Sequence, residues 1–474
     1  MRPAHLLLLL TLLLRLLASA QTADTLTAEQ VREDIRFTAR TIESIHPDPW
    51  HSISRKKFYR LRDSLLAVAS HPVAAEDTWP LIARLCAAIN EGHTFAWPPP
   101  ALAGALRKER FGLFPVLLAD LDPEGFRVRT DLSDDSTLKA GDRILAINGR
   151  SAADILRELS RYCGGLPSWR RAKMEGNALA YLHLAGIRGP FTVRYRQNGR
   201  TAEKKLPPIA YNQLIARRDA ARKRNGNTAQ PPPYALKRLP GNVALLEFNT
   251  METDAQAFDR FLEDSFRTFR SAPVKGLIVD MRRNGGGNSV LGWYLLQYIT
   301  GKPFRMAGGT RWKVSPEGRE WYRTLDSAGR ARTDSARWAA YLAKPDGFIF
   351  KSPASPPDSA QPNELRFHGP VAVLIGPNTF SSANMTANTI QDYKLATLIG
   401  EPSGEPANDY GELLFFDTPN AKVSFCSSTR HFIRANGDAR DPNPVLPDIL
   451  VKADPDGRTD TALEAAKKWI AAQQ

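Results

Sequence analysis

Two segments of the C-terminal half restrict the fold more than anything else in the chain, because each runs from an apolar block through a tight polar turn into a helix. The first is KGLIVDM (Lys275 to Met281), followed by RRNGGGNS and SVLGWYLLQYI; the second is VAVLIG (Val371 to Gly376), followed by PNTFS and a helical stretch ending in QDY. A short apolar run bounded by turn residues reads as a strand covered on both faces, and strands alternating with helices build a parallel sheet. In such sheets ligands bind beyond the carboxyl ends of the strands, where the loops enter the helices. Gly285, Gly286 and Gly287 stand in one of these loops, and the adjacent serines Ser381 and Ser382 stand in the other.

The glycine loop fits neither the dinucleotide fingerprint nor a phosphate-binding P-loop. What it supplies is bare backbone N–H groups close to a ligand, which an acyl-transfer site needs to hold an oxyanion. A serine at a strand-to-helix junction places its hydroxyl at the positive end of the helix dipole, where a developing negative charge is favoured. Serine is also a common helix N-cap, so the residues alone leave capping as the alternative.

The chain opens MRPAHLLLLLTLLLRLLASAQ, with a basic start, an apolar block and the small residues Ala18-Ser19-Ala20. This pattern predicts a secretory signal peptide over residues 1–20, cut before Gln21, and an exported protein, periplasmic or secreted. A transmembrane anchor is the weaker alternative, because the uninterrupted apolar stretch is short and Arg15 interrupts it, so no membrane span is expected after cleavage. Only Cys86, Cys163 and Cys426 occur among 474 residues, too few for a disulfide framework. Stability therefore rests on ordinary apolar cores, and 42% hydrophobic with 24% charged residues is a globular composition. The formal charge of +14 is dispersed. Its one cluster, RRDAARKRNGN (Arg217 to Asn227), runs into a proline triplet and reads as a linker, not as a nucleic-acid site.

That linker, residues 209–240, divides the chain. Residues 21–105 carry helical spacing, with Val31, Ile35, Ile42 and Ile45 on one face, and form an N-terminal helical cap region. Residues 106–208 change to short strands with turns at Ala140-Gly141-Asp142 and Asn148-Gly149. Residues 241–474 form the α/β core, interrupted over 310–368 by a polar insert that reads as a lid or arm. The wording LKAGDRILAINGR within 106–208 resembles the PDZ domain, which binds a peptide as an added strand and holds its terminal carboxylate in a glycine-containing loop. The resemblance places that loop at Gly112, Leu113 and Phe114, next to Phe111; an ordinary hydrophobic strand start is the other reading.

LIVDMRRNGGG, NTFSSANMTANTIQDY and TLIGEPSGE, preceded by the PDZ-like wording, together resemble the S41 peptidases, the C-terminal processing (tail-specific) and tricorn-core-like proteases. The resemblance implies a crotonase/ClpP-like α/β peptidase core with a PDZ-like β-rich domain, a serine nucleophile and no cofactor. Its implied substrates are peptides and unfolded or tail-exposed proteins. It maps the nucleophile onto Ser381, leaves Ser382 as the cap, and assigns the oxyanion hole to the backbone of Ser382 and Gly286.

The C-terminal processing members take their base from a lysine whose register falls here on Pro406, and no lysine stands between Gly400 and Ala421. Lys394 and Lys422, the neighbours in sequence, read as surface residues. In the tricorn-like branch the base is a histidine ahead of the PDZ, which corresponds to His93 in INEGHT, although Gly92 replaces the serine that precedes it there. The orienting carboxylate is assigned to Asp441, with Asp409 and Glu412 as rivals, and His431 is the competing base. The histidines show no metal-ligand spacing, so no metal is expected. An inert peptide-binding scaffold is the alternative to a working peptidase.

Overall fold

The computed structural model describes residues 25–134, 137–224, 231–327, 335–454 and 459–473. The predicted signal peptide lies outside them. The core is a six-stranded sheet in the order Tyr234–Leu239, Val243–Phe248, Gly276–Asp280, Val371–Ile375, Thr397–Gly400 and Ile449–Leu450. Its first pair is antiparallel and the remaining pairings are parallel.

The apolar runs are uninterrupted because both faces of this sheet are covered. Val371, Val373 and Ile375 face the helices Ala255–Ser271, Ser289–Ile299 and Ser382–Tyr393. Ala372 and Leu374 face the C-terminal helix Thr461–Ala471, and all five strand residues are buried. Both anticipated loops, 281–288 and 376–381, leave the carboxyl ends of neighbouring strands. The linker expected over 209–240 is more structured than its composition implies. Tyr211–Arg224 is a helix whose Arg217 bonds the Leu132 carbonyl at 2.7 Å, and Tyr234–Leu239 is the edge strand of the core sheet.

A second sheet runs Ile349–Pro353, Gly309–Lys313, Ser424–Phe432 and Asp409–Asp417, with Phe95–Ala96 paired onto Phe425 and Cys426. Two strands of the insert are thus built into a sheet, and Lys313 Nζ reaches the Glu43 carbonyl at 2.6 Å in the first N-terminal helix. That helix, Ala28–Ile45, starts with a capping box of Thr27 and Gln30 and buries Val31, Ile35, Ile42 and Ile45. Its Asp34 accepts the N–H groups of Asn420 and Ala421 at 2.9 and 2.8 Å, which fastens it to the turn between the two long strands.

The third sheet is antiparallel and lies within 106–208, in the order Val116–Asp122, Gly125–Asp131, Arg143–Ile147, Phe191–Gln197 and Arg200–Leu206. Asn148 and Gly149 turn with positive φ, as a tight hairpin requires. Among the described residues no helix is long and apolar enough to cross a membrane.

Cys86, Cys163 and Cys426 are free and buried, and burial pushes their thiols up, that of Cys163 to about 11. The melting temperature is therefore expected to be the same with and without reductant, and the native thiols to resist a disulfide-exchange reagent until the chain unfolds. A reductant-induced drop in melting temperature contradicts this account.

Candidate active site

Ser381 sits between the strand Val371–Ile375 and the helix Ser382–Tyr393 with φ 54° and ψ −129°. A non-glycine residue held in that region stores about 1–3 kcal/mol of strain and persists only where its surroundings over-determine it. Here the turn is pinned from both sides. The Thr379 hydroxyl donates to the Met281 carbonyl and accepts the Gly376 N–H, both at 3.0 Å, and the Phe380 N–H reaches the Asn284 carbonyl at 3.1 Å. Ser381 makes no side-chain cap bond, so its hydroxyl is left for other work at a sharp strand-to-helix elbow.

Ser382 does not take the capping role expected of it. It is the first helical residue, and its hydroxyl donates to the Gly287 carbonyl at 2.6 Å, tying the helix to the glycine loop. Its N–H has no partner among the described residues. Gly286 lies against the elbow: a Cβ there, at φ 96°, would stand 2.6 Å from the Ser381 Cβ and 2.9 Å from the Ser382 nitrogen. The Gly286 N–H itself is committed to Asn284 Oδ1 at 3.0 Å, so of the two anticipated oxyanion donors only the Ser382 N–H is unengaged. Gly286 serves here as the residue that permits close approach.

His93 lies between the helix Trp79–Ala88 and the short strand Phe95–Ala96, 5% exposed. Two carboxylates approach its Nδ1: Glu91 Oε2 at 3.9 Å, and Glu405, whose Oε2 is at 3.4 Å and whose Oε1 accepts the Ser381 N–H. One side chain therefore joins residues 93 and 381. Both ring nitrogens of His93 are buried without a hydrogen-bond partner, and the ring packs 4.5 Å from that of Phe380. Gly92 has a steric reason. A Cβ there would lie 2.5 Å from the Phe380 ring and 2.9 Å from the Trp169 Nε1, so a serine does not fit at this position.

Burial dominates the electrostatics. It pulls His93 down to about 4, with Glu91 opposing and the Lys173 ammonium assisting. Glu91 is pushed up by burial, but His46, His93 and the Thr94 hydroxyl outweigh this and hold it at about 2. Glu91 also takes hydrogen bonds from the His93 N–H and from the Thr94 and Ser428 hydroxyls. Glu405 and Asp409 are both raised well above the carboxylate range, first by burial. For Glu405 the Asp409 carboxyl adds to this, so the pair keeps a proton.

The other anticipated residues lie elsewhere or are otherwise engaged. Asp441 is not brought to His93: its carboxylate oxygens are taken up by Arg434 and Asn443. Glu412 is exposed, and its carbonyl accepts the Thr429 hydroxyl at 2.6 Å. His431 stacks on Tyr410 at 4.5 Å, within a group that includes His46 and His51. Lys394 caps the C-terminus of the Ser382–Tyr393 helix, and Lys422 lies exposed in a turn. In the Gly112–Phe114 segment, Leu113 exchanges backbone bonds with Ile209 at 2.9 Å, Gly112 packs on Pro208 and Phe114 is buried against Phe191. The Leu113 N–H is thus not presented to a ligand. Among the described residues no group of three or more His, Cys, Asp or Glu is placed to hold a metal.

A strained serine at an elbow, a buried imidazole and a carboxylate touching both define the serine hydrolases as a class. Residues 242–451 match the family model of peptidase family S41, whose members are serine peptidases. Mature CPAF shares the fold, with a TM-score of 0.59 at 14% identity over 94% of this chain and 96% of that one. The structure of mature CPAF complexed with lactacystin gives 0.60 at 14% over 94% and 97%. No curated protein matches the chain.

The carboxyl pair yields a signed expectation. Both folded-state values lie above the unfolded ones, so the stability the pair contributes is present at acid pH and is lost as pH rises above about 4. Asp409→Asn removes this loss. In chemical denaturation the variant is expected to gain progressively on the wild type as pH rises from about 5 to about 8. A constant difference across that window overturns the shared proton.

Proposed function

We propose that Ser381 is the nucleophile of an exported endopeptidase, with His93 as its general base and Glu405 as the carboxylate that orients the imidazole. The observation that carries this reading is the double contact of Glu405, which holds the Ser381 N–H with one oxygen and faces His93 Nδ1 with the other. In this arrangement Nδ1–H donates to Glu405 and Nε2 is left to take the Ser381 proton. The freed oxygen attacks the peptide carbonyl, and the oxyanion forms at the N-terminus of the Ser382–Tyr393 helix, where the Ser382 N–H is unengaged. The imidazolium then protonates the departing amine, and a water, activated by the same nitrogen, releases the acyl group. Asp409 shares its proton with Glu405, so the acid beside His93 carries one negative charge and not two.

Substrates of this reading are unfolded or tail-exposed polypeptides, since the scissile segment has to reach a serine hemmed in by the glycine loop, Glu405 and the Phe380–His93 pair. The leader-like start supports export. The antiparallel sheet of 116–206 fits the PDZ-like reading, with its peptide edge elsewhere than Leu113, and the parallel core fits the crotonase/ClpP-like one.

Kinetics on an unstructured reporter peptide test the assignment. Ser381→Ala is expected to abolish turnover, and His93→Ala and Glu405→Gln each to lower kcat by at least about a hundredfold. Asp441→Asn is expected to weaken the fold and to leave kcat within about twofold, since its partner is Arg434. Because burial favours the neutral imidazole, the wild-type kcat/KM is expected to hold through pH 6.5 and to fall only nearer pH 4. Full turnover in Glu405→Gln with loss in Asp441→Asn reverses the carboxylate assignment.

A further inference from the structure

We propose that the ammonium of Lys173 anchors a carboxylate-binding subsite of the peptide channel; this rests on the reading of Ser381 as nucleophile. Lys173 lies half-buried on the helix Pro167–Gly176. Its Nζ stands 4.5 Å from the centre of the Phe95 ring and 5.4 Å from that of Trp169. Both rings belong to the catalytic surroundings. Phe95 follows His93 by two residues, and Trp169 stacks on Phe380 at 3.8 Å with 10° between the planes. Phe380 in turn packs on His93 and immediately precedes Ser381.

What sets Lys173 apart is the absence of an acceptor. Among the described residues no carboxylate pairs with it and no oxygen takes a hydrogen bond from it. Lys313, the other lysine depressed by burial, is satisfied by the carbonyls of Glu43 and His46 at 2.6 and 3.4 Å. The groups facing Lys173 are the neutral, buried thiols of Cys163 and Cys426 and the imidazole of His93. Glu91, the anion beside His93, is turned toward the His93 N–H, Thr94 and Ser428. Aromatic faces return only part of what a partly desolvated cation loses in leaving water, whereas a carboxylate supplies a charge-assisted hydrogen bond.

The platform beneath the ammonium is built and not incidental. A Cβ on Gly92, Gly165 or Gly404 would come within 2.9, 3.0 and 3.2 Å of the Trp169 indole, so three segments leave room for that one ring. Lys173 is linked to Ser381 through Trp169 and Phe380, so a carboxylate on the ammonium belongs to a residue beside the scissile bond and not at it. It comes either from an Asp or Glu side chain or from the free α-carboxylate of a chain end.

The test uses the full chain carrying Ser381→Ala, so that peptides bind without turnover, and fluorescein-labelled unstructured peptides read by anisotropy. Two kinds of pair are compared: Glu against Gln scanned along the peptide, and free against amidated C-terminus. The parent is expected to favour one carboxylate-bearing member by roughly tenfold, about the worth of one charge-assisted hydrogen bond. Lys173→Met and Lys173→Gln are expected to bring the ratio near unity, and Lys173→Arg to keep it. Which pair responds identifies the source of the carboxylate. A parent that binds both members of every pair equally overturns the proposal whatever the variants do, as does a preference that survives loss of the lysine. The peptidase reading is judged apart from this, by turnover in the protein with Ser381 intact.

Discussion

Glu405 is the side chain on which the geometry around Ser381 and His93 depends. Its carboxyl is nearly sealed from solvent, yet it meets the Ser381 N–H, His93 Nδ1 and Asp409. A buried carboxyl so placed is unfavourable by itself and is retained because every neighbour takes part: one donates a hydrogen bond, one shares a proton and one accepts orientation. Three distant stretches of sequence are thereby held in one cluster. The elbow strain at Ser381 is maintained by the same contact, since the N–H of a residue in that conformation points away from its own helix and needs an acceptor outside it.

The rest of the fold supplies the frame for that contact. The central sheet delivers the glycine loop and the serine turn side by side, because parallel neighbours end at the same edge. The bond from Ser382 to the Gly287 carbonyl then locks the two loops together. The N-terminal helices and the second sheet carry His93 to the same place: Phe95–Ala96 pairs with Phe425 and Cys426, and Asp34 holds the turn beyond that strand. At the C-terminal end of the Ser382–Tyr393 helix, Arg434 gathers Asp392 and Asp441, an arrangement that positions the helix.

Much of this frame was legible in the sequence, and the reasons are local. Val371–Ile375 and Gly276–Asp280 announce buried strands through uninterrupted apolar runs, and the residues after them announce turns through glycine, asparagine and serine. The family wording singled out one serine of the adjacent pair. Positions whose roles depend on contacts across the chain were harder to read. Glu405 sits in GEPSGEP, where an acidic residue beside prolines and glycines reads as surface and nothing local marks it as buried. Asp441 carried a family-like position, but folding gives its charge to Arg434. The Gly112–Phe114 segment had the composition of a binding loop, and the strand-like pairing of Leu113 with Ile209 takes up the backbone such a loop would offer. The stretch 209–240 read as a linker because its charges and prolines mask one buried helix face and an edge strand.

The central claim, that burial and Glu405 make Ser381 a nucleophile served by His93, is tested most directly by covalent trapping. The intact protein is treated with a fluorophosphonate at neutral pH, and the modified residue is located by peptide mass mapping. A single adduct on Ser381, formed rapidly in the wild type and slowed by about a hundredfold or more in His93→Ala, is the predicted result. An adduct on Ser382, labelling that is undiminished without His93, or no adduct at all contradicts it.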